Sequence, residues 1–160
     1  MIKNITILLM LFSTLFIFVS CGKKAEPYIS VTADEQKVVT QSGEEENPFA
    51  ALIQNEIPYT PLGSSIQINF HAEVPEQIVT FDYVLNAQGA IKYSDREVIE
   101  TVIDTKEDQS VSFTLKENFA AMLSSDSKDY EQGNSLRGFK VAFTAKNSNY
   151  EFYFIVRTDV

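Results

Sequence analysis

The chain has few of the residues on which many catalytic and structural sites depend. Its 160 residues include one cysteine, Cys21, one histidine, His71, and no tryptophan. A single cysteine cannot build a disulfide scaffold, and one Cys with one His is too small a set for a structural zinc site. The same shortage argues against a Cys–His or Ser–His catalytic pair. We therefore expect neither a metal nor a cofactor.

Positive charge is also scarce. Thirteen Lys and Arg residues stand against twenty-two Asp and Glu residues, so the formal net charge is −9. Because proteins that bind nucleic acid neutralise its phosphates with clustered cations, we expect no nucleic-acid partner. The length allows one ordinary domain rather than two.

The N-terminus carries the parts of a secretory signal. Lys3 supplies a short positive region, residues 5–19 are uncharged over fifteen positions, and the small Ser20 precedes Cys21. The alternative is an uncleaved membrane anchor. The apolar stretch lies at the lower limit of the ~17–25 residues that span a bilayer. Two lysines follow it and resist translocation, so the cleaved signal is favoured.

The sequence Phe18-Val19-Ser20-Cys21 resembles the lipobox of bacterial lipoproteins, although Phe18 stands where that family usually has leucine. The resemblance implies that residues 1–20 are removed and that the Cys21 sulfur is diacylated with chains such as palmitate. It also implies a lipid-anchored, extracytoplasmic protein on the bacterial cell membrane or outer membrane. Acylation uses up a lone thiol, and two or three acyl chains make the attachment to the bilayer effectively permanent.

Residues 21–57 are predicted to be an acidic tether between the lipidated Cys21 and a folded domain. Positions 25–56 hold seven acids and one cation, and residues 43–48 combine a turn residue, a run of like charges and a proline. A calcium site is the alternative for this run. It lacks the ligand spacing of a calcium loop, so a solvated spacer is favoured.

Two short pieces of this region could be ordered, and either could pack on the domain as a brace; the sequence does not decide between this and a free spacer. Residues 28–32 alternate like a strand. Asn47 and Pro48 have the residue types that cap and open a helix, and the turn that follows would carry Phe49, Leu52 and Ile53. We place the domain boundary near residue 58.

Residues 58–160 are predicted to form an all-β domain. Apolar and polar residues alternate with a period of two in segment after segment, and turn residues interrupt the pattern every eight to twelve positions. This spacing predicts about seven strands in an antiparallel β-sandwich or a small barrel. The layout is similar to immunoglobulin-like and fibronectin-like surface modules, although the Cys…Trp…Cys pattern of true immunoglobulin domains is absent.

One short helix is expected to interrupt the strands. Phe119, Met122 and Leu123 share one helical face by their spacing. We predict that these three side chains plug one open end of the sandwich.

No catalytic constellation is recognisable in the sequence. His71 lies on the polar face of its predicted strand, without a second histidine or an activated nucleophile. Asp82 is predicted on a polar strand face, and Asp104 and Asp108 lie in a turn, so no two carboxylates are paired as glycoside hydrolysis requires. We therefore predict that the protein is not an enzyme.

Loops at the ends of the sandwich are the first candidates for binding, since recognition residues concentrate on such loops. The longest polar loop, residues 124–135, carries Asp129 and Tyr130 and fails the spacing of an EF-hand. Residues 86–89 and 104–109 form two further candidate contact loops.

The last predicted strand is apolar on both faces because Tyr153 and Ile155 lie opposite the main apolar series. Such a strand lies at the centre of a sheet, is covered by Phe49 and Leu52, or presents a patch to a partner. We rank the central or covered strand first. A binding patch that includes Tyr153 and Ile155 comes second, since aromatic residues are enriched at interface cores.

Together these features predict a membrane-anchored surface lipoprotein with a non-catalytic β-sandwich that binds or adheres to a protein or glycan partner in the envelope or outside the cell. The alternative is a carrier of small apolar ligands, with the sheet closed into a β-barrel-like shell around a cavity. A filled interior would exclude the carrier.

Overall fold

The computed structural model describes residues 26–43, 45–94, 97–105 and 108–160. The predictions for the signal peptide, the lipobox and Cys21 lie outside these residues. The described strands are β1 (Tyr28–Ala33), β2 (Gln36–Val38), β3 (Thr40–Ser42), β4 (Ser65–His71), β5 (Gln77–Leu85), β6 (Ile99–Asp104), β7 (Ser110–Thr114), β8 (Ser135–Ala145) and β9 (Ser148–Thr158). The helices are α1 (Pro48–Leu52) and two 3₁₀ helices, Phe119–Leu123 and Ser127–Tyr130.

The strands form two sheets with the orders β2-β1-β4-β7 and β3-β9-β8-β5-β6. All neighbouring strands are antiparallel. The protein is therefore an all-β, immunoglobulin-like β-sandwich, as predicted. The described residues contain nine strands, of which six lie beyond residue 58 and three precede it.

Aromatic and aliphatic side chains fill the space between the sheets. The rings of Phe139 and Phe154 stack with 5.0 Å between their centroids. Phe70 meets Phe143 edge-on at 5.9 Å. The predicted alternation places Ile66 and other fully buried residues on the inner face of β4. Two separate sheets around a filled interior argue against the shell that a carrier of apolar ligands requires.

Residues 28–43 and 45–57 belong to the sandwich and are not a tether. β1 pairs with β4 from Tyr28↔His71 to Ala33↔Ile66, and β3 pairs with β9 in the other sheet. Every second side chain of β1 is buried. The domain therefore includes residues from Tyr28 onward and does not begin near residue 58. The strand-like alternation of residues 28–32 forms a true strand of the sheet, although the composition of the region is acidic.

The helix α1 forms where the sequence predicts a helical turn. Pro48 is at the start of the helix, and the Asn47 side chain accepts a hydrogen bond from the Ala50 backbone N–H at 3.1 Å. Phe49 and Leu52 are both buried against the outer face of the five-stranded sheet. This helix braces the domain from outside.

Two glycines allow α1 to pack directly against the five-stranded sheet and the loop of residues 86–90. A Cβ on Gly138 in β8 would lie only 2.8 Å from the Phe49 ring. A Cβ on Gly89 would lie 2.8 Å from the Phe49 backbone carbonyl, and Gly89 also has a φ of +78°, which disfavours other residues. The glycines therefore set how closely the helix approaches the sheet.

Candidate binding surface

The two ends of the sandwich carry different parts of the chain. β1 begins at Tyr28, opposite His71, and this end also holds the turn between β8 and β9, where Lys146 pairs with Glu73 at 2.7 Å. We call it the proximal end because the N-terminal segment leads into it. At the opposite, distal end lie the loop of residues 86–90 and the chain from residue 115 to β8. Since a strand rises about 3.3 Å per residue, the length of β5 separates the two ends by roughly 25 Å.

The 3₁₀ helix Phe119–Leu123 exposes its large apolar side chains at the distal end. Phe119, Met122 and Leu123 are 75%, 53% and 61% exposed, whereas Ala120 and Ala121 are buried beside Val84. The predicted plug is therefore wrong in its orientation. The space beside β5 admits the two small alanines, so the three large side chains turn towards solvent.

The candidate loop 124–135 is folded against this apolar turn. Its 3₁₀ helix brings Tyr130 back over the turn, where the Tyr130 Oη lies 2.8 Å from the carbonyl oxygens of Met122 and Ser124. Asp129 pairs with Lys92 and accepts a hydrogen bond from the Ser124 hydroxyl. The hydrogen bond from Lys92 lowers the pKa of the Asp129 carboxyl. The predicted residues Asp129 and Tyr130 thus belong to an ordered surface.

We define the distal surface by its apolar centre and its polar border. Its residues are Lys92, Phe119, Met122, Leu123, Asp129 and Tyr130. A shallow hollow of about 500 Å³ adjoins it and is bordered by residues of both loop 86–89 and loop 124–135. Of loop 104–109, the third predicted contact loop, the described residues 104, 105, 108 and 109 lie at the proximal end, where the Thr105 backbone N–H donates to the Glu76 carbonyl at 3.1 Å.

The residues Tyr153 and Ile155 lie under α1. Ile155 is 2% exposed and packs with Phe49 and Leu52. The Tyr153 ring contacts the Phe49 ring edge-on at 5.3 Å, and its hydroxyl donates to Glu151 at 2.7 Å. Burial raises the pKa of the Tyr153 hydroxyl. Coverage by α1 therefore explains the second apolar face of β9, and Ile155 is not accessible to a partner.

His71 and Asp82 occupy structural positions. His71 stacks on Tyr28 with 4.3 Å between the rings and is hydrogen-bonded to the Ser30 hydroxyl at 2.9 Å. Asp82 faces the interior, not solvent as expected, and pairs with Arg137. Within the residues described, no group of three or more His, Cys, Asp or Glu side chains is placed to hold a metal ion.

The ion pair between Asp82 and Arg137 is enclosed by the two sheets. Arg137 Nε donates to Asp82 Oδ1 at 2.7 Å, a second hydrogen bond joins Nη2 to Oδ2, and Nη1 donates to the Lys116 carbonyl at 3.2 Å. Arg137 is only 1% exposed. Burial raises the pKa of the Asp82 carboxyl, and the adjacent guanidinium opposes that rise. Both carboxylate oxygens are engaged, so the pair is a structural element of the core.

None of the helices in the described part of the chain combines the length and apolar character needed to cross a bilayer.

Comparison with known proteins identifies a structural likeness only. No protein-family model and no curated sequence matches the chain. Among solved structures it is similar to the extended catalytic domain of H. jecorina LPMO9A, also known as EG4. The identity is 10% and the TM-score 0.44, over 84% of this chain and 74% of that one. A β-sandwich is an architecture on which catalytic and non-catalytic proteins are both built, so it does not mark a protein as non-catalytic. The prediction that the protein is not an enzyme is therefore withdrawn.

Proposed function

We propose that the protein is a lipid-anchored bacterial surface lipoprotein whose β-sandwich binds a protein partner through the distal surface. One observation carries this proposal: the N-terminal segment enters the domain at Tyr28, whereas the exposed apolar turn lies at the opposite end. A lipid anchor at Cys21 would therefore hold the proximal end near the bilayer and direct the distal surface outward.

The correction of the domain boundary makes the proposed attachment short. Six residues, and so seven Cα–Cα steps, separate Cys21 from Tyr28. At a maximum of roughly 3.5 Å per residue, they span no more than about 25 Å. The domain then stands close to the membrane, and only its distal end is well placed to meet a partner away from the lipid.

The composition of the distal surface favours a protein over a glycan. Phe119, Met122 and Leu123 form an apolar centre, and the Lys92–Asp129 pair lies at its border. Protein interfaces commonly have an apolar core enriched in aromatic residues and methionine, surrounded by a polar rim. Contiguous exposed apolar side chains also mark interaction sites on soluble domains.

The lipid anchor predicts the chemical state of the mature N-terminus. In the wild type we expect Cys21 as the first residue, carrying acyl chains, and partition of the protein into the detergent phase. The variant Cys21→Ala should remain an unlipidated precursor, because no sulfur is available for acylation. Mass spectrometry of the N-terminal peptide and detergent partition check both statements. As a control, Ser20→Ala keeps a small residue before the cysteine and should be processed normally. An unacylated wild-type Cys21 would contradict the proposal.

Binding through the distal surface predicts site-specific crosslinking on intact cells. A photo-crosslinking amino acid at Leu123 should yield a discrete protein adduct, and Phe119→Ser in the same chain should reduce its yield roughly tenfold, as loss of one buried aromatic contact implies. The matched control places the crosslinker at Val39, which is 43% exposed and lies beside Leu52 and Ile155, among none of the residues of the distal surface. Equal adduct yields at Leu123 and Val39, or no effect of Phe119→Ser, would contradict a partner at this surface.

A further inference from the structure

β6 leaves one edge of the five-stranded sheet open. It pairs with β5 from Gln77↔Asp104 to Asp82↔Ile99 and forms the outermost strand of its sheet. Five of its six residues are exposed, and Val102 is 57% exposed. Natural proteins usually cover or shorten such an edge, since its backbone groups are a template for another strand.

The hydrogen-bond register shows which backbone groups of β6 face outward. The Thr105 N–H donates to the Glu76 carbonyl at 3.1 Å, one step beyond the last pair of the ladder. Hydrogen-bonded and non-bonded pairs alternate in an antiparallel ladder. The residues of β6 whose backbone N–H and C=O groups point towards β5 are therefore Ile99, Thr101 and Ile103. The N–H and C=O groups of the intervening residues, Glu100, Val102 and Asp104, therefore point away from the sheet.

A cleft opens between the two sheets beside this edge. Its volume is about 290 Å³, and it is lined by Ile99 and Thr101 of β6, Phe113 of β7 and Phe139 of β8. Successive side chains of a strand point to opposite faces of its sheet. A strand added next to β6 would consequently direct every second side chain towards the mouth of this cleft.

The charges on β6 disfavour pairing with a second copy of the chain. Glu100 and Asp104 flank Val102 on the outer face of the sheet. Antiparallel self-pairing centred on Val102 would place Glu100 of each copy opposite Asp104 of the other, and like charges at such positions are destabilising. Lys or Arg at the same two positions of a different strand would form opposite-charge pairs instead.

We propose that β6 binds an extended segment of a partner protein by strand addition. The segment carries apolar residues opposite Val102 and towards the cleft, and Lys or Arg opposite Glu100 and Asp104. Main-chain hydrogen bonds to the outward groups of β6 supply affinity in this mode, and side-chain pockets supply specificity. This surface is separate from the distal surface and does not depend on a lipid anchor.

The test uses the soluble chain from Glu26 to Val160 and a fluorescent synthetic peptide. The peptide has six pairing residues, with Lys opposite Glu100 and Asp104 and Val elsewhere. Fluorescence anisotropy should show saturable binding, weakened roughly tenfold by Val102→Pro, because proline removes one outward N–H from the edge. The ladder to β5 is retained, since proline is tolerated where the N–H faces solvent. Val102→Thr keeps the N–H and should bind within about threefold of the wild type.

A charge exchange separates strand addition from general attraction of a basic peptide to an acidic protein. Glu100→Lys with Asp104→Lys should lose the basic peptide and gain one with Glu at the paired positions. The control, Glu45→Lys with Glu56→Lys, makes the same change in net charge at exposed sites elsewhere and should leave binding unchanged. The proposal fails if the control pair weakens binding as much as the edge pair, or if Val102→Pro, checked for an unchanged thermal transition, binds normally. It also fails if the wild type dimerises through β6 in sedimentation. Should Val102→Pro unfold, the charge exchange decides alone.

Discussion

A chain that begins at Pro58 is expected to remain unfolded, whereas a chain that begins at Glu26 is expected to unfold in one cooperative transition. The first chain lacks β1, β2, β3 and α1, and therefore lacks strands from both sheets. Circular dichroism and thermal denaturation of the two purified chains measure the difference. If residues 58–160 gave a cooperative transition near that of the longer chain, the assignment of residues 28–57 to the domain would be wrong.

The expected effect is large because these elements supply part of the core. Five substantial apolar side chains would be lost: Ile29, Val31, Val38, Phe49 and Leu52, all of them buried. At about 2 kcal/mol for each buried side chain, the lost burial is roughly 10 kcal/mol. That is comparable with the whole stability of an ordinary domain, ~5–15 kcal/mol. The truncation also leaves Ile155 and Leu85 without the helix that covers them.

The sequence predicts strands best where one face of the strand is buried and the other is exposed to solvent. In β4 the alternation alone identifies both the strand and its inner face. Residues 28–57 show why composition is a poorer guide. Net charge averages over a segment, whereas β1 needs only Ile29, Val31 and Ala33 at alternate positions. The net negative charge of the segment therefore predicts a tether, although Tyr28–Ala33 pair with β4 along nearly its whole length.

The residues of β5 alone do not show which of its two faces points into the core. The strand has one series with Phe81, Tyr83 and Leu85 and another with Ile78, Thr80, Asp82 and Val84. The first series is the more apolar, which predicts that it faces the core. The structure reverses this, because α1 covers part of the first series from outside. Only the position of a distant helix identifies the inner face.

A signal for the inward charge pair is nonetheless present in β8. Arg137 lies in phase with Phe139, Val141 and Phe143, which all face the core. An arginine in such a series requires a buried acceptor, and Asp82, the diagonal neighbour of Arg137 on β5, is that acceptor. The distal turn offers no comparable signal. Whether Phe119 or Ala120 points inward depends on the room left beside Val84, which is fixed by tertiary packing.

Removal of one partner of the buried ion pair is expected to be among the most destabilising single changes in the chain. In Asp82→Leu the guanidinium of Arg137 stays enclosed without its counter-ion, and breaking a buried pair in this way costs about 3–5 kcal/mol of unfolding free energy. The double variant Asp82→Leu with Arg137→Met removes both charges and supplies side chains of similar volume. It should recover most of that loss, since such replacements are often neutral or stabilising.

Urea denaturation of the wild type, both single variants and the double variant measures the coupling between the two residues. The exposed pair Lys140–Glu151, 3.5 Å apart, is the control, and Glu151→Gln should cost less than about 1 kcal/mol. If the double variant were as unstable as the sum of the single variants, the two side chains would act independently. The carbonyl of Lys116 would then have to hold the guanidinium without help from Asp82. If the double variant instead regains most of the unfolding free energy lost in the single variants, each charge is tolerated in the core only because the other is present.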